Sequence, residues 1–263
     1  MEAGPGGLWI ETVTLIVRGN RVGVAEAVKD WHDTGWTVTQ GCTKHSDGCQ
    51  NCLAATLTAR TPGMEHLATP ADGDVHRGRW TGKIDHLREN MAGPERWPEH
   101  LGRLWVFVGQ MGDLFHDDVP DAYIDEVLAV ASAHPQHYYG FLTKRSARMR
   151  DFFATRSAPS YVLLGVSVES PKYLYRVDDL LACRGDHVPF VQAEPLLNRL
   201  DLSQYFARGL GWVVAGPELG VHARPYDIEW FRFLRDQCAD AGVPFFMKHQ
   251  LDGVEHQAHP TMP

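Results

Sequence analysis

Seven short apolar runs recur along the chain, separated by longer stretches of mixed polarity. They are Trp36–Thr39, Leu104–Val108, Tyr138–Leu142, Tyr161–Val166, Val188–Val191, Gly211–Val214 and Pro244–Met247. Each is rich in β-branched and aromatic residues and shows little alternation. A strand covered on one face alternates apolar and polar residues, whereas a strand buried on both faces reads as a continuous apolar run. The runs therefore predict strands of a covered, parallel sheet, with a weaker strand at Arg79–Ile84. Helical spacing falls between them. Pro120–Ala133 places Tyr123, Ile124, Val127, Leu128 and Ala131 on one face, and Asp227–Ala241 does the same with Phe231, Leu234, Cys238 and Ala241. Asp227 is positioned as an N-cap and Gly242 as a C-terminal stop.

Strand–helix alternation of this kind predicts a parallel sheet with covering helices. About six to eight units fit the length, which makes the expected fold a single α/β domain: a TIM-like β/α barrel, full or partial, with mostly parallel strands. The barrel is expected over residues 36–250, preceded by an N-terminal extension (1–35) and followed by a tail (251–263). Thr61–Gly82 is rich in Gly, Pro, Thr, Asp and His and reads as a long loop or insertion. Internal repeats and long low-complexity tracts are absent.

Composition changes this picture little. At 263 residues, 44% hydrophobic and 22% charged, the chain is ordinary for a soluble globular protein. No apolar run approaches the roughly 20 residues of a membrane span. Residues 1–7 lack the basic and apolar pattern of a secretory leader. A cytoplasmic protein without membrane partners is expected. The net charge of −8 argues against broad nonspecific nucleic-acid binding, without excluding a local basic groove.

The chemistry concentrates in one place. Cys42, Cys49 and Cys52 form a Cys-x6-Cys-x2-Cys run with no fourth cysteine nearby. Five cysteines in all, three of them clustered, point to metal or redox chemistry rather than a disulfide framework. Three thiolates leave one position of a four-coordinate centre open. His45 offers the alternative of a Cys3His zinc site. Polar residues also follow nearly every predicted strand: Gln40, then Gln110 and Asp113, then Thr143, Lys144 and Arg145. Ser167 and Glu169, Gln192 and Glu194, Glu218, and finally Lys248 and His249 complete the series. In a β/α barrel these ends converge on one mouth. Asp117 and Asp118 read as acids favouring the N-terminus of the next helix, and Cys183 and Cys238 as buried and inert. Walker, dinucleotide-glycine and HExxH motifs are absent.

Several stretches resemble the phage Gp37/Gp68 family, also called DUF5131, which is similar to radical SAM proteins. They are Gly41–Lys44 with Gly48–Cys52, Met111–Pro120, Leu142–Arg145, Leu164–Glu169, Ala193–Leu197 and Arg232–Lys248. Three features depart from the family pattern. Thr34–Thr39 stands where the family usually has a tryptophan-asparagine-proline run. Ala215-Gly216-Pro217-Glu218-Leu219 replaces a Gly-Gly-Glu-Ser segment, and His249-Gln250-Leu251 replaces a tryptophan-containing tail.

The resemblance implies a [4Fe-4S] cluster on Cys42, Cys49 and Cys52, with S-adenosylmethionine on the remaining iron and a 5′-deoxyadenosyl radical as the hydrogen-abstracting species. It implies cofactor contacts among Gln40, Ser167, Glu169, Glu194 and Glu218. Substrate contacts are expected among Gln110, Asp113, Lys144, Arg145 and Lys248. Ion pairing is the competing role for the glutamates. An electron donor such as flavodoxin or ferredoxin would be required. The phage association makes a small molecule, a nucleotide or a modified thymidine in DNA the candidate substrate, undergoing isomerisation or rearrangement in the host cytoplasm. The aromatic residue that often precedes the last cysteine in radical SAM loops is here Asn51. The rival classes are a zinc-stabilised binding protein without turnover and an electron-transfer protein without affinity for S-adenosylmethionine.

Overall fold

A computed structural model describes residues 16–17, 20–21, 30–249, 251, 254 and 257–262. Its centre is a seven-stranded sheet, entirely parallel, in which the strands lie in sequence order. The strands are β1 (Thr34–Trp36), β2 (Trp105–Val108), β3 (Tyr138–Thr143), β4 (Val162–Ser167), β5 (Val188–Ala193), β6 (Trp212–Ala215) and β7 (Phe245–Met247). The sheet curls into a half-barrel with β1 and β7 as its two edges. The architecture is thus mixed α/β with a partial barrel; closure to a full TIM barrel does not occur among the described strands.

Each apolar run of the sequence contains or overlaps one strand, because both faces of the sheet are buried. Val106, Phe141, Leu164, Val166, Val191 and Val213 belong to the larger core, beneath the helices. Helix α1 (Leu53–Ala59) follows the cysteine run, and the covering helices are α2 (Asp121–Ala133), α3 (Ser146–Phe153), α4 (Tyr175–Leu181), α5 (Ser203–Phe206) and α6 (Ile228–Ala241). Neighbouring positions of opposite parity, Leu163, Phe190, Trp212, Val214 and Phe246, form a second cluster around Trp31 on the other face. Helix α6 is capped as its sequence predicts. The Asp227 side chain accepts from Glu229 N at 3.0 Å, and Gly242 is left-handed at φ 66°.

Three expectations meet specific features of the structure. Thr61–Gly82 is not a structureless loop: Ala68–Ala71 and Asp74–Trp80 pair as an antiparallel hairpin, which also takes up the start of the weak strand placed at Arg79–Ile84. The hairpin packs on α1, where Gly78 N donates to Thr56 Oγ1 at 2.9 Å. The boundaries at 35/36 and 250/251 do not divide the packing. Trp31 is fully enclosed by the inner cluster, Val254 is buried in the larger core, and Trp212 Nε1 donates to the Ala258 carbonyl at 2.9 Å. Much of the predicted extension, including residues 1–15, lies outside the described residues. Finally, Asp117 and Asp118 precede α2, whose N-cap position is Pro120 and whose first-turn acid is Asp121. No described helix is long and apolar enough to cross a membrane.

Candidate functional site

The cysteine loop lies at the C-terminal edge of the sheet. Gly41 N donates to the Met111 carbonyl at 3.2 Å, tying the loop to the segment that follows β2. Gly41 has φ 92°, and a side chain there would overlap the Lys83 carbonyl oxygen, so only glycine fits.

Cys42 meets the first polar network. Arg145 Nη1 stands 3.6 Å from its sulfur and donates to Asp113 Oδ2 at 2.8 Å. Asp113 also accepts from Thr143 Oγ1 at 2.8 Å and from Phe115 N at 3.0 Å. Arg145 Nη2 reaches Thr43 Oγ1, which lies 3.0 Å from His116 Nε2. Burial pushes the Cys42 thiol up to about 12, with Asp113 adding to the shift and Arg145 opposing it. Without further positive charge this sulfur is therefore a thiol at neutral pH.

Cys49 and Cys52 meet the second. Ser46 Oγ lies 3.7 Å from Cys49 Sγ and donates to Glu169 Oε1. Glu169 and Arg176 are each 0% exposed and pair at 2.9 Å, with Lys144 Nζ at 3.6 Å from the same carboxylate. Gly48 is what admits that carboxylate: a Cβ there would sit 2.5 Å from Glu169 Oε1. Cys52 caps α1, its sulfur accepting from Ala55 N at 3.5 Å. Burial lowers the proton affinity of the Lys144 ammonium, but Glu169, Cys49 and Cys52 outweigh it and hold the group above its ordinary value.

A third network closes the loop from the far side. Asn51 Nδ2 donates to Glu218 Oε2 at 3.1 Å and to the His222 carbonyl at 2.8 Å. Arg224 donates to Glu218 through its backbone N and its Nε, both at 2.8 Å. A fourth lies within the half-barrel, where Glu194 accepts from Gln192 Nε2 at 2.6 Å and from Lys248 Nζ at 2.9 Å.

A family model matches residues 26–259, with the description "Protein of unknown function (DUF5131)". The chain belongs to the DUF5131 family. No curated protein and no solved structure matches it. The family match extends beyond residues 36–250 on both sides, in agreement with the packing of Trp31 and Val254.

Measured against the sequence expectations, this DUF5131 chain brings Asp113, Lys144, Arg145, Glu169 and Glu218 to the cysteine loop, and Glu194 with Lys248 to a separate network. All three glutamates are ion-paired, the role that competes with cofactor binding. Ser167 engages Arg176 through its carbonyl at 2.8 Å. Gln40 pairs through its backbone opposite Asp85, and the exposed Gln110 lies over Gly35, whose added Cβ would stand 2.5 Å from Gln110 Oε1. Neither glutamine has a side-chain hydrogen bond to these networks among the described residues. Sequence reasoning passed over Ser46 and Arg176, and over Tyr173, whose hydroxyl accepts from Asp47 N in the cysteine loop at 3.0 Å. The only signal for Arg176 was an arginine within an otherwise apolar helix face.

Cys42 and Cys52 are each pushed up further by Cys49, so the three sulfurs share one electrostatic neighbourhood. Arg145 Nε, Arg176 Nε and Arg176 Nη2 are buried beside this loop without hydrogen-bond partners among the described residues. These cations suit an anionic group held by thiolates. Among the described residues, no group of three or more His, Cys, Asp or Glu side chains is placed to hold a metal ion. The three thiols are of the donor type that holds an iron–sulfur cluster or, together with His45, a zinc ion. A polar cavity of about 220 Å³ opens beside Cys49, walled by Lys44, Gln50, Arg77, Arg79 and Trp80.

Proposed function

We propose that this chain is a radical S-adenosylmethionine enzyme. The observation that supports the reading is that Cys42, Cys49 and Cys52 share one loop at the C-terminal mouth of a parallel half-barrel, each of the outer two within electrostatic reach of Cys49, beside Lys144, Arg145 and the buried Glu169–Arg176 pair. The three cysteines would hold a [4Fe-4S] cluster. When bound, that group would supply the electron that cleaves S-adenosylmethionine to methionine and a 5′-deoxyadenosyl radical, the electron coming from a donor of the flavodoxin or ferredoxin class.

The chain's own residues do the rest. Arg145 opposes the burial that keeps Cys42 protonated, and Lys144 does the same at Cys52. Ser46 and Arg176 hold the fully buried Glu169 carboxylate against the loop and so fix the position of the cysteine run. Asn51 and Arg224 position Glu218 on the opposite side. The aromatic floor of Phe190, Trp212 and Phe246 excludes water from the interior. The substrate would enter the mouth as a free small molecule or as a nucleotide, which in duplex DNA would first have to be flipped out.

The test is anaerobic purification with iron and sulfide reconstitution. Paramagnetic resonance spectra of the reduced protein are recorded with and without S-adenosylmethionine, and 5′-deoxyadenosine is assayed by chromatography. A cluster signal altered by S-adenosylmethionine, with 5′-deoxyadenosine formed, is expected. Stoichiometric zinc without cleavage product would overturn the proposal.

A further inference from the structure

The fourth polar network has features that the thiol chemistry does not use. Gln192 and Lys248 fall on the same strand face as Phe190 and Phe246, and so belong to the inner side of the half-barrel. The Glu194 carboxylate lies on that side too, since a Cβ on Gly216 would stand 2.7 Å from its Oε1. Asp30 and His32 flank Trp31, which fills the inner cluster. Asp30 is 3.5 Å from Lys248 Nζ, His32 Nε2 is 3.3 Å from Asp30, and His249 Nε2 is 3.8 Å from Glu194.

Two properties of this network point to a ligand. First, Gln192 is only 6% exposed, and its Oε1 has no hydrogen-bond partner among the described residues. The same holds for His32 Nδ1 and His249 Nε2. Native structures rarely leave several buried polar atoms in one place unsatisfied. Second, two carboxylates converge here on one ammonium, with His32 beside Asp30 and His249 beside Glu194. Burial opposes all three charges. Even so, contacts with His32 and Lys248 hold Asp30 below the usual carboxylate range, and Lys248 does the same for Glu194. Lys248 is held up in return.

We propose that this network binds the ammonium group of an amine-bearing small molecule, with Asp30 and Glu194 supplying the negative charge and Gln192 Oε1 a further acceptor. The proposal stands whether or not the thiols carry a cluster. S-adenosylmethionine also bears an ammonium group, so the test must separate the two sources.

The probe is ethylamine, added to the full chain at pH 8, where free imidazole is uncharged. Acetate and ethanol serve as charge and shape controls. Ligand-observed saturation-transfer magnetic resonance is expected to detect ethylammonium alone. Glu194→Gln should abolish the signal. Gln192→Leu should weaken binding roughly five-fold, about the worth of one hydrogen bond. Lys248→Met, which removes the competing ammonium, should retain or strengthen it. Asp30→Asn, nearer the surface, provides the charge change if Glu194→Gln does not fold. Equal signals for acetate or ethanol, or ethylammonium binding unchanged in both Gln192→Leu and the carboxylate variant, would overturn the proposal. So would displacement of ethylammonium by S-adenosylmethionine, which would assign the network to that compound.

Discussion

Gly48→Ala isolates the packing of the cysteine loop on the buried ion pair. Gly48 does not occupy the left-handed region, so alanine carries no backbone strain there. Its new Cβ would stand 2.5 Å from Glu169 Oε1, 2.6 Å from Cγ and 2.9 Å from Cδ. Contacts that short require a shift. If the loop yields, the cost is that of overpacking, about 1–3 kcal/mol. If the carboxylate yields, Arg176 loses its partner at 0% exposure, and uncompensated buried charge costs about 3–5 kcal/mol. Urea unfolding should therefore show a loss of about 2–4 kcal/mol, between these limits. A double-mutant cycle makes the cause specific. In a Glu169→Ala background the space is vacant, so adding Gly48→Ala should cost almost nothing more. Equal losses in both backgrounds would refute the reasoning, as would a single variant within about 0.5 kcal/mol of the parent, the range of a neutral surface change.

Three other outcomes are expected. Asp30, Glu194 and Glu218 are all held below the usual carboxylate range, so their contribution to stability is present above about pH 4 and lost as pH falls through their folded values. Urea midpoints should fall as the pH drops below about 4, and Asp30→Asn should flatten the profile; an unchanged slope would count against the network. Burial pushes Cys42, Cys183 and Cys238 up to about 12 each, so iodoacetamide at pH 8 should leave all three largely unmodified in the folded, metal-free protein by peptide mass mapping. Arg145→Met should protect Cys42 further, because the thiolate loses its cation. Asn51→Asp replaces a donor to Glu218 with a second carboxylate and should destabilise by about 1–3 kcal/mol, measured by urea unfolding; a neutral result would show that the loop does not depend on this contact.

The apolar runs located the seven strands closely because a parallel strand buried on both faces has no polar register to hide it. Asp227 and Gly242 marked the ends of α6 because capping is a local property of the backbone. The same locality explains the failure at Ala68–Trp80. Its hairpin is exposed and built from polar and glycine-rich sequence, so its pairing is stabilised by packing on α1 that no local pattern records. The cysteine spacing and the polar strand ends identified Cys42, Asp113, Lys144, Arg145, Glu169 and Glu218 as neighbours, since parallel strands in sequence order bring their C-terminal ends to one edge. They could not reveal Arg176, whose role is set by a buried carboxylate from a preceding turn, or the glycines that make room for Glu169 and Glu194.

What the sequence by itself determined is the set of elements, the parallel sheet they form and the edge at which the chemistry gathers, because burial and capping act through residues close in the chain. Only the tertiary structure decided that the barrel stays open, that Trp31 and the C-terminal segment complete its interior, and which charges neutralise one another. Those outcomes depend on contacts between residues far apart in sequence, such as His259 with the Trp31 carbonyl and Ser46 with Glu169, whose energies appear only when the sheet has curled.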